Sequence, residues 1–194
     1  MTAFATLLSE VRACTHCAEV LPLGPRPVLQ AHPHARVLVA AQAPGRKVHA
    51  SGVPFDDASG ERLRDWMGVT RDIFYDATRI AILPMGFCYP GAGRSGDRPP
   101  RPECAPRWRE RLLHGLKRIE LTLVVGAYAH DFHLRGHASL TGRVRAWREC
   151  DAGMIPLPHP SPRNNGWLRC NPWFEAELLP ELRARVAAVL ARRR

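Results

Sequence analysis

Four short apolar runs constrain the fold of this chain more than any other feature. In "ARVLVAAQAPG" the residues Val37 to Ala41 are apolar without interruption, and the run ends in Pro-Gly. "RIAILPMGF", "LTLVVGA" and "GMIPLPHPSP" repeat the pattern. Such runs are too short for independent helices and do not alternate apolar with polar. That combination marks strands buried on both faces, the condition of a parallel sheet covered by helices. Helical stretches fill the intervals: residues 2–13, "SGERLRDWMGV", "CAPRWRERLLHGLKRI", about Tyr128 to Leu134, and a closing helix from "NPWFEAELLPELRARVAAVLARR" with Pro180 as a possible kink. In the second, Ser59 reads as the N-cap, Leu63 and Trp66–Met67 as the apolar face, and Gly68 as the stop. The expected fold is α/β: one domain over residues 1–194, with a mainly parallel central sheet of about four strands flanked by helices. Ligands of such sheets sit beyond the carboxyl ends of the strands. Here the loops at 42–57, 88–103 and 159–167 leave those ends.

The net charge is +10, and the excess is arginine, because lysine occurs only at Lys47 and Lys117. Guanidinium groups recognise phosphate in a bidentate, planar way. A basic surface of this kind points to a polyanion, nucleic acid first. The bland alternative is a compositional arginine bias plus a solvated tail, and the terminal ARRR fits such a tail. No apolar run reaches the length of a membrane helix. The N-terminal stretch reads as a short amphipathic helix, not a signal peptide. A cytoplasmic monomer with no membrane association is expected.

Residues 157–167, LPHPSPRNNGW, contain three prolines, Pro158, Pro160 and Pro162. They exclude a helix there and fit poorly in a central strand. The segment reads as a stiff loop carrying His159, Ser161, Arg163 and Asn164, a set of side chains suited to function. Six cysteines are present. Cys14 and Cys17 have metal-type spacing, and Cys88 and Cys104 flank the long loop. Two such pairs match a structural zinc or a 4Fe–4S cluster. Cys150 and Cys170 have no partner at useful spacing.

Two motifs together carry a resemblance to the uracil-DNA glycosylase superfamily along nearly the whole chain. The first, "AQAPGRKVHASGVPFDDASGERL", resembles the first active-site motif of the iron–sulfur glycosylases through Ala43, Pro44, Gly45, Gly52, Pro54, Phe55, Gly60 and Leu63. The second, HPSPRN at residues 159–164, resembles the H-P-S-P motif and is closest to the single-strand-selective monofunctional branch. The chain departs from the family at Gln42, where one branch has glutamate, at Ala43, where others have aspartate, and at Pro84, where several place a uracil-reading asparagine.

The resemblance implies a monofunctional glycosylase that flips uracil from DNA and hydrolyses its glycosidic bond. The alternatives are a glycosylase for hypoxanthine, xanthine or mismatched thymine, and an inactive DNA-binding relative. It implies a 4Fe–4S cluster on Cys14, Cys17, Cys88 and Cys104, with structural zinc as the alternative. His159 becomes the donor to the base oxygen. Asp57, in a D-A-S-G string like that of one branch, becomes the carboxylate near the sugar, with Asp56 in reserve. Amides of Gln42, Ala43, Pro44 and Gly45 are expected at the uracil edge, in so far as each has one, and Phe55 as the stacking face. Ser161 is expected on a phosphate, and Arg163 and Asn164 in the gap left by the base. Arg94, Arg98 and Arg101 are expected on the DNA backbone.

Overall fold

The structure, a computed structural model, describes residues 2–94, 96–134 and 138–192. Arg193 and Arg194 of the terminal ARRR lie outside them. Helix α1 (Ala3–Arg12) starts at Thr2, whose hydroxyl accepts the Ala5 amide. A connecting arm with a 3-10 turn at Ala18–Val20 then runs to Gln30, which bridges Ile82 in antiparallel fashion. Strand β1 (Val37–Ala41) is followed by α2 (Arg46–Ser51), α3 (Ala58–Met67), α4 (Arg71–Tyr75) and β2 (Ile80–Pro84). A two-residue hairpin, β3 (Ala92–Gly93) with β4 (Gly96–Asp97), precedes α5 (Cys104–Gly115). Then come β5 (Leu121–Val125), α6 (Ala127–His133), α7 (Leu140–Arg145), β6 (Met154–Leu157), α8 (Asn165–Cys170) and α9 (Leu179–Ala191).

The four long strands are parallel, in the order β2-β1-β5-β6. Every residue of β1, β2 and β5 is buried, which is why these runs lack alternation in the sequence. Period-two geometry still sorts the side chains. Val37, Val39, Ile80, Ile82, Leu121 and Leu123 pack with Leu63, Trp66 and Met67 of α3 and Leu182 and Val186 of α9. Leu38, Ala81 and Leu83 pack on the other side with Leu8 and Val11 of α1 and Trp108 and Leu112 of α5. The strand order reverses direction between β1 and β5, and a crevice opens at such a switch point.

Three local readings are corrected. The N-cap of α3 is Asp57, not Ser59: Asp57 Oδ1 accepts the Gly60 amide at 3.0 Å, and Ser59 lies buried inside the first turn. Gly68 does end that helix, in the left-handed conformation at φ 66°. The closing helix starts at Trp173 rather than Asn171 and runs without a break to Ala191. Phe174–Leu178 form a π-helical turn within it, directly ahead of Pro180 near the start of α9. The loops at 42–57 and 159–167 are also less irregular than expected, since they contain α2 and the start of α8.

Candidate active site

A cleft of about 600 Å³ opens at the carboxyl ends of the strands. Its walls include Gln42, Ala43, Pro44, Gly45, Phe55, Asp57, Arg98, His159, Ser161, Arg163 and Asn164, so most of the residues singled out in the sequence converge there. The cleft limb after β1 is anchored by backbone bonds from Met85 to Ala41 (2.8 Å) and from Gly86 to Gln42 (2.9 Å). The Gln42 side chain lies on Gly126, where a Cβ would come within 2.8 Å of it. Gly126 itself has φ 82°, so glycine is needed there for both conformation and space.

Phe55 is the one non-glycine residue with positive φ among the described residues, at 56°. That conformation is strained for a bulky side chain. Two contacts hold it. The Tyr75 hydroxyl donates to the Phe55 carbonyl at 3.2 Å, and a Cβ on Gly60 would lie 1.7 Å from that same oxygen. Gly60 thus lets the Phe55 turn rest on the first turn of α3. The Phe55 ring meets Phe74 edge-on, at 6.2 Å between centroids, and lines the cleft.

The two neighbouring aspartates separate cleanly. Asp56 points away and pairs with Arg71 at 2.9 Å. That hydrogen bond holds its carboxyl below the usual range. Asp57 lines the cleft while capping α3.

His159 stands opposite, close enough for the Asp57 carboxylate to act on its charge. The protein packed around the ring pushes its pKa down to about 4, against the pull of Asp57 and with the help of Arg163. Its Nδ1 accepts the Ser161 amide at 3.2 Å. A neutral imidazole that accepts at Nδ1 carries its proton on Nε2. The loop is held from several sides. Asn164 Nδ2 donates to the His159 carbonyl at 2.7 Å, and Arg62 Nη1 to the Ser161 carbonyl at 3.1 Å. Beneath it, the buried His130 reaches the carbonyls of Val124 and Leu157, both at 3.0 Å, and so ties the ends of β5 and β6 together.

Arg163 reaches across to the β3–β4 hairpin, with its guanidinium against Gly96. Arg94 is exposed on that hairpin's turn and is not part of the cleft wall. Arg101 is placed elsewhere. It pairs with Glu103 at 2.6 Å and faces the cysteines. Arg46, Lys47, Asp97 and Tyr128, which were given no role in the site from sequence, also line the cleft, as does Pro84 at the position where several branches have asparagine. Arg62 supports it from behind. Of the four without an assigned role, Asp97 was hinted at by its place in the 88–103 loop beside Arg98.

Cys14, Cys17, Cys88 and Cys104 surround one small cavity, lined otherwise by apolar side chains such as Val11, Leu21, Phe87 and Trp108, and by Arg101. The Phe87 amide donates to Cys104 Sγ at 3.4 Å. Burial raises the free thiols, Cys88 to about 11 and Cys104 to about 12. Among the described residues, no three His, Cys, Asp or Glu side chains form a group that could hold a metal ion. Also among them, no helix is long and apolar enough to cross a membrane. Compared with known families, residues 29–183 match the model of the Uracil DNA glycosylase superfamily, a span that takes in both active-site limbs and leaves Cys14 and Cys17 outside.

Proposed function

The chain belongs to the uracil DNA glycosylase superfamily, and from that premise we propose that it is a monofunctional glycosylase that removes uracil from DNA. The observation that carries this reading is the meeting of Asp57 and His159 across one cleft, with Phe55 and the Gln42–Gly45 limb between them. The uracil is extruded from the stack and rests on Phe55, with its edge toward the Ala43 and Gly45 amides. As the bond from C1′ to N1 breaks, the electron pair moves onto the base and the sugar becomes oxocarbenium-like. The Nε2–H of neutral His159 donates to the base oxygen where charge develops. Asp57 faces the positive sugar, orients the water whose oxygen bonds to C1′ and takes up the proton that water gives off. Its Oδ1 is already fixed by the Gly60 amide, so the carboxylate needs little reorganisation.

Ser161 meets a phosphate, Arg163 and Asn164 enter the gap left by the base, and Arg94 and Arg98 follow the backbone. Arg101 is dropped from this group, because its side chain serves the cysteine cavity. Pro84 in the cleft wall offers no side-chain amide to read uracil. That favours, as a second reading, acceptance of hypoxanthine, xanthine or mismatched thymine as well. The direct experiment is alkali-dependent cleavage of oligonucleotides carrying each of these bases. Release of none of them would refute the catalytic reading.

We propose that the four thiols around one cavity, with an amide donating to Cys104 Sγ, hold a 4Fe–4S cluster, with a structural zinc ion as the alternative. The cluster would supply a covalent tie between the N-terminal segment and the long loop. Fresh protein is then brown, and Cys14→Ala lowers its stability more than its rate of base release.

A further inference from the structure

Among the described residues four large apolar side chains are exposed: Val20, Leu23, Tyr128 and Phe132. Two of them stand one turn apart on α6, Tyr128 at 42% exposure and Phe132 at 43%. Residues four apart on a helix share a face. Tyr128 also forms part of the cleft wall, so the pair makes a ledge that runs outward from the cleft.

The ledge is firmly backed. The Arg109 guanidinium lies under the Phe132 ring, 5.1 Å from its centroid. Arg109 is fully buried, with Nη1 bonded to the Leu83 carbonyl at 2.9 Å and the Pro84 carbonyl at 3.2 Å. The His133 ring meets Phe132 edge-on at 4.9 Å. Phe132 is therefore gripped on its inner side by groups anchored at the end of β2, while its outer side meets solvent. A rotor ordered before binding loses little entropy when a ligand stacks on it.

We propose that Tyr128 and Phe132 form a stacking ledge for unpaired bases beside the extruded nucleotide, so that the protein prefers strands that are single-stranded next to the lesion. This rests on the reading of the cleft as a DNA site. Two features select nucleic acid as the occupant. The ledge is continuous with a cleft lined by Arg98 and Arg163, and the whole chain carries a charge of +10. Aromatic faces beside cationic side chains suit single strands, since every base offers a π-face and every linkage a charge. A paired duplex hides those faces.

The test measures binding by fluorescence anisotropy, using a short labelled thymine oligonucleotide and the same strand in a duplex. Tyr128→Ala and Phe132→Leu are each expected to weaken single-strand binding about tenfold and duplex binding much less. Leucine keeps apolar cover over Arg109 but removes the π-face. Phe132→Trp should restore single-strand binding. A 2-aminopurine placed beside uracil in a single strand should be quenched by the wild type and not by the leucine variant. Equal losses on both forms of DNA, or no loss on either, would overturn the ledge and leave the surface to a protein partner. These readouts need no base release. An inactive protein that still showed them would refute the glycosylase reading alone.

Discussion

The two limbs over the carboxyl end of the sheet each place one of the proposed reactive side chains in the cleft, and they do so by opposite means. The limb after β1 is built from tight backbone contacts. Phe55 takes a left-handed conformation, Gly60 makes room for its carbonyl, and Asp57 is locked by capping α3. The limb after β6 is built from stiffness and hydrogen bonds. Three prolines narrow its choices, and Ser161, Asn164 and Arg62 fasten what is left. The first limb depends on the absence of a side chain at Gly60. The second depends on the presence of several. Preorganisation can thus come from close approach or from crosslinking, and the two should fail differently when altered.

The largest effect is expected at the second limb. His159→Ala should slow single-turnover base release by about 10²–10³-fold, the usual loss for one donor aimed at a developing anion, while binding to abasic DNA changes little. Asp57→Asn should act in the same direction. Near-normal rates in both variants would remove the assigned chemistry.

Next comes the first limb. Gly→Ala in a compatible helix position gains about 0.4–1 kcal/mol, but at Gly60 the new Cβ would lie 1.7 Å from a backbone oxygen that cannot swing aside. The clash should win, with a net loss of about 1–3 kcal/mol in urea unfolding. A slower rate should follow, because Phe55 and Asp57 move together. A neutral or stabilising Gly60→Ala would show that the turn is not held by close approach.

The pH dependence sharpens the contrast. His159 is held near 4 by burial, below the ordinary 6.5, and His133 likewise. Between those values the unfolded chain binds protons that the folded one refuses, so these two histidines should lower stability as pH drops from 6.5 toward 4 and add no further loss below that. Titrating the urea midpoint should show a shallower slope in His159→Asn, and an unchanged slope would contradict the assignment. A smaller effect belongs to Arg163→Ala, which should weaken DNA binding across sequences and lower the salt slope by about 1. The smallest is Asp56→Asn. Its carboxylate pairs with Arg71 outside the cleft, and the rate should not change. A large loss there would exchange the roles of the two aspartates.

Much of this was legible in the residues themselves. β1 spans Val37–Ala41 as the uninterrupted apolar run requires, and Gly68 stops α3 as a left-handed cap. The two motif segments meet over the switch point because strand ends in a parallel sheet share one side. What was not legible has a common cause. α2, α4 and α8 are five or six residues long, too short to display a helical period. The choice of Asp57 over Ser59 as cap turns on where the strained turn at Phe55 ends, which composition does not encode. Arg101 sits among arginines that look alike in sequence. Its direction is set by Glu103 and the cysteine cavity, contacts that exist only in the folded chain.

The bond from Arg62 to the Ser161 carbonyl closes a loop of ninety-nine residues. Asp57 and His159 lie near its two ends, and β6 pairs with β5 across the intervening α6 and α7. Contacts of such range form late in folding, because the entropy of closure must be met before they return anything. A nascent chain that has paired β1 with β2 already owns its aspartate turn, but it has no histidine to face it. On the proposed reading the two reacting groups meet only once the last strand is in place, so a chain cut short before residue 154 would carry the aspartate limb without the histidine that faces it.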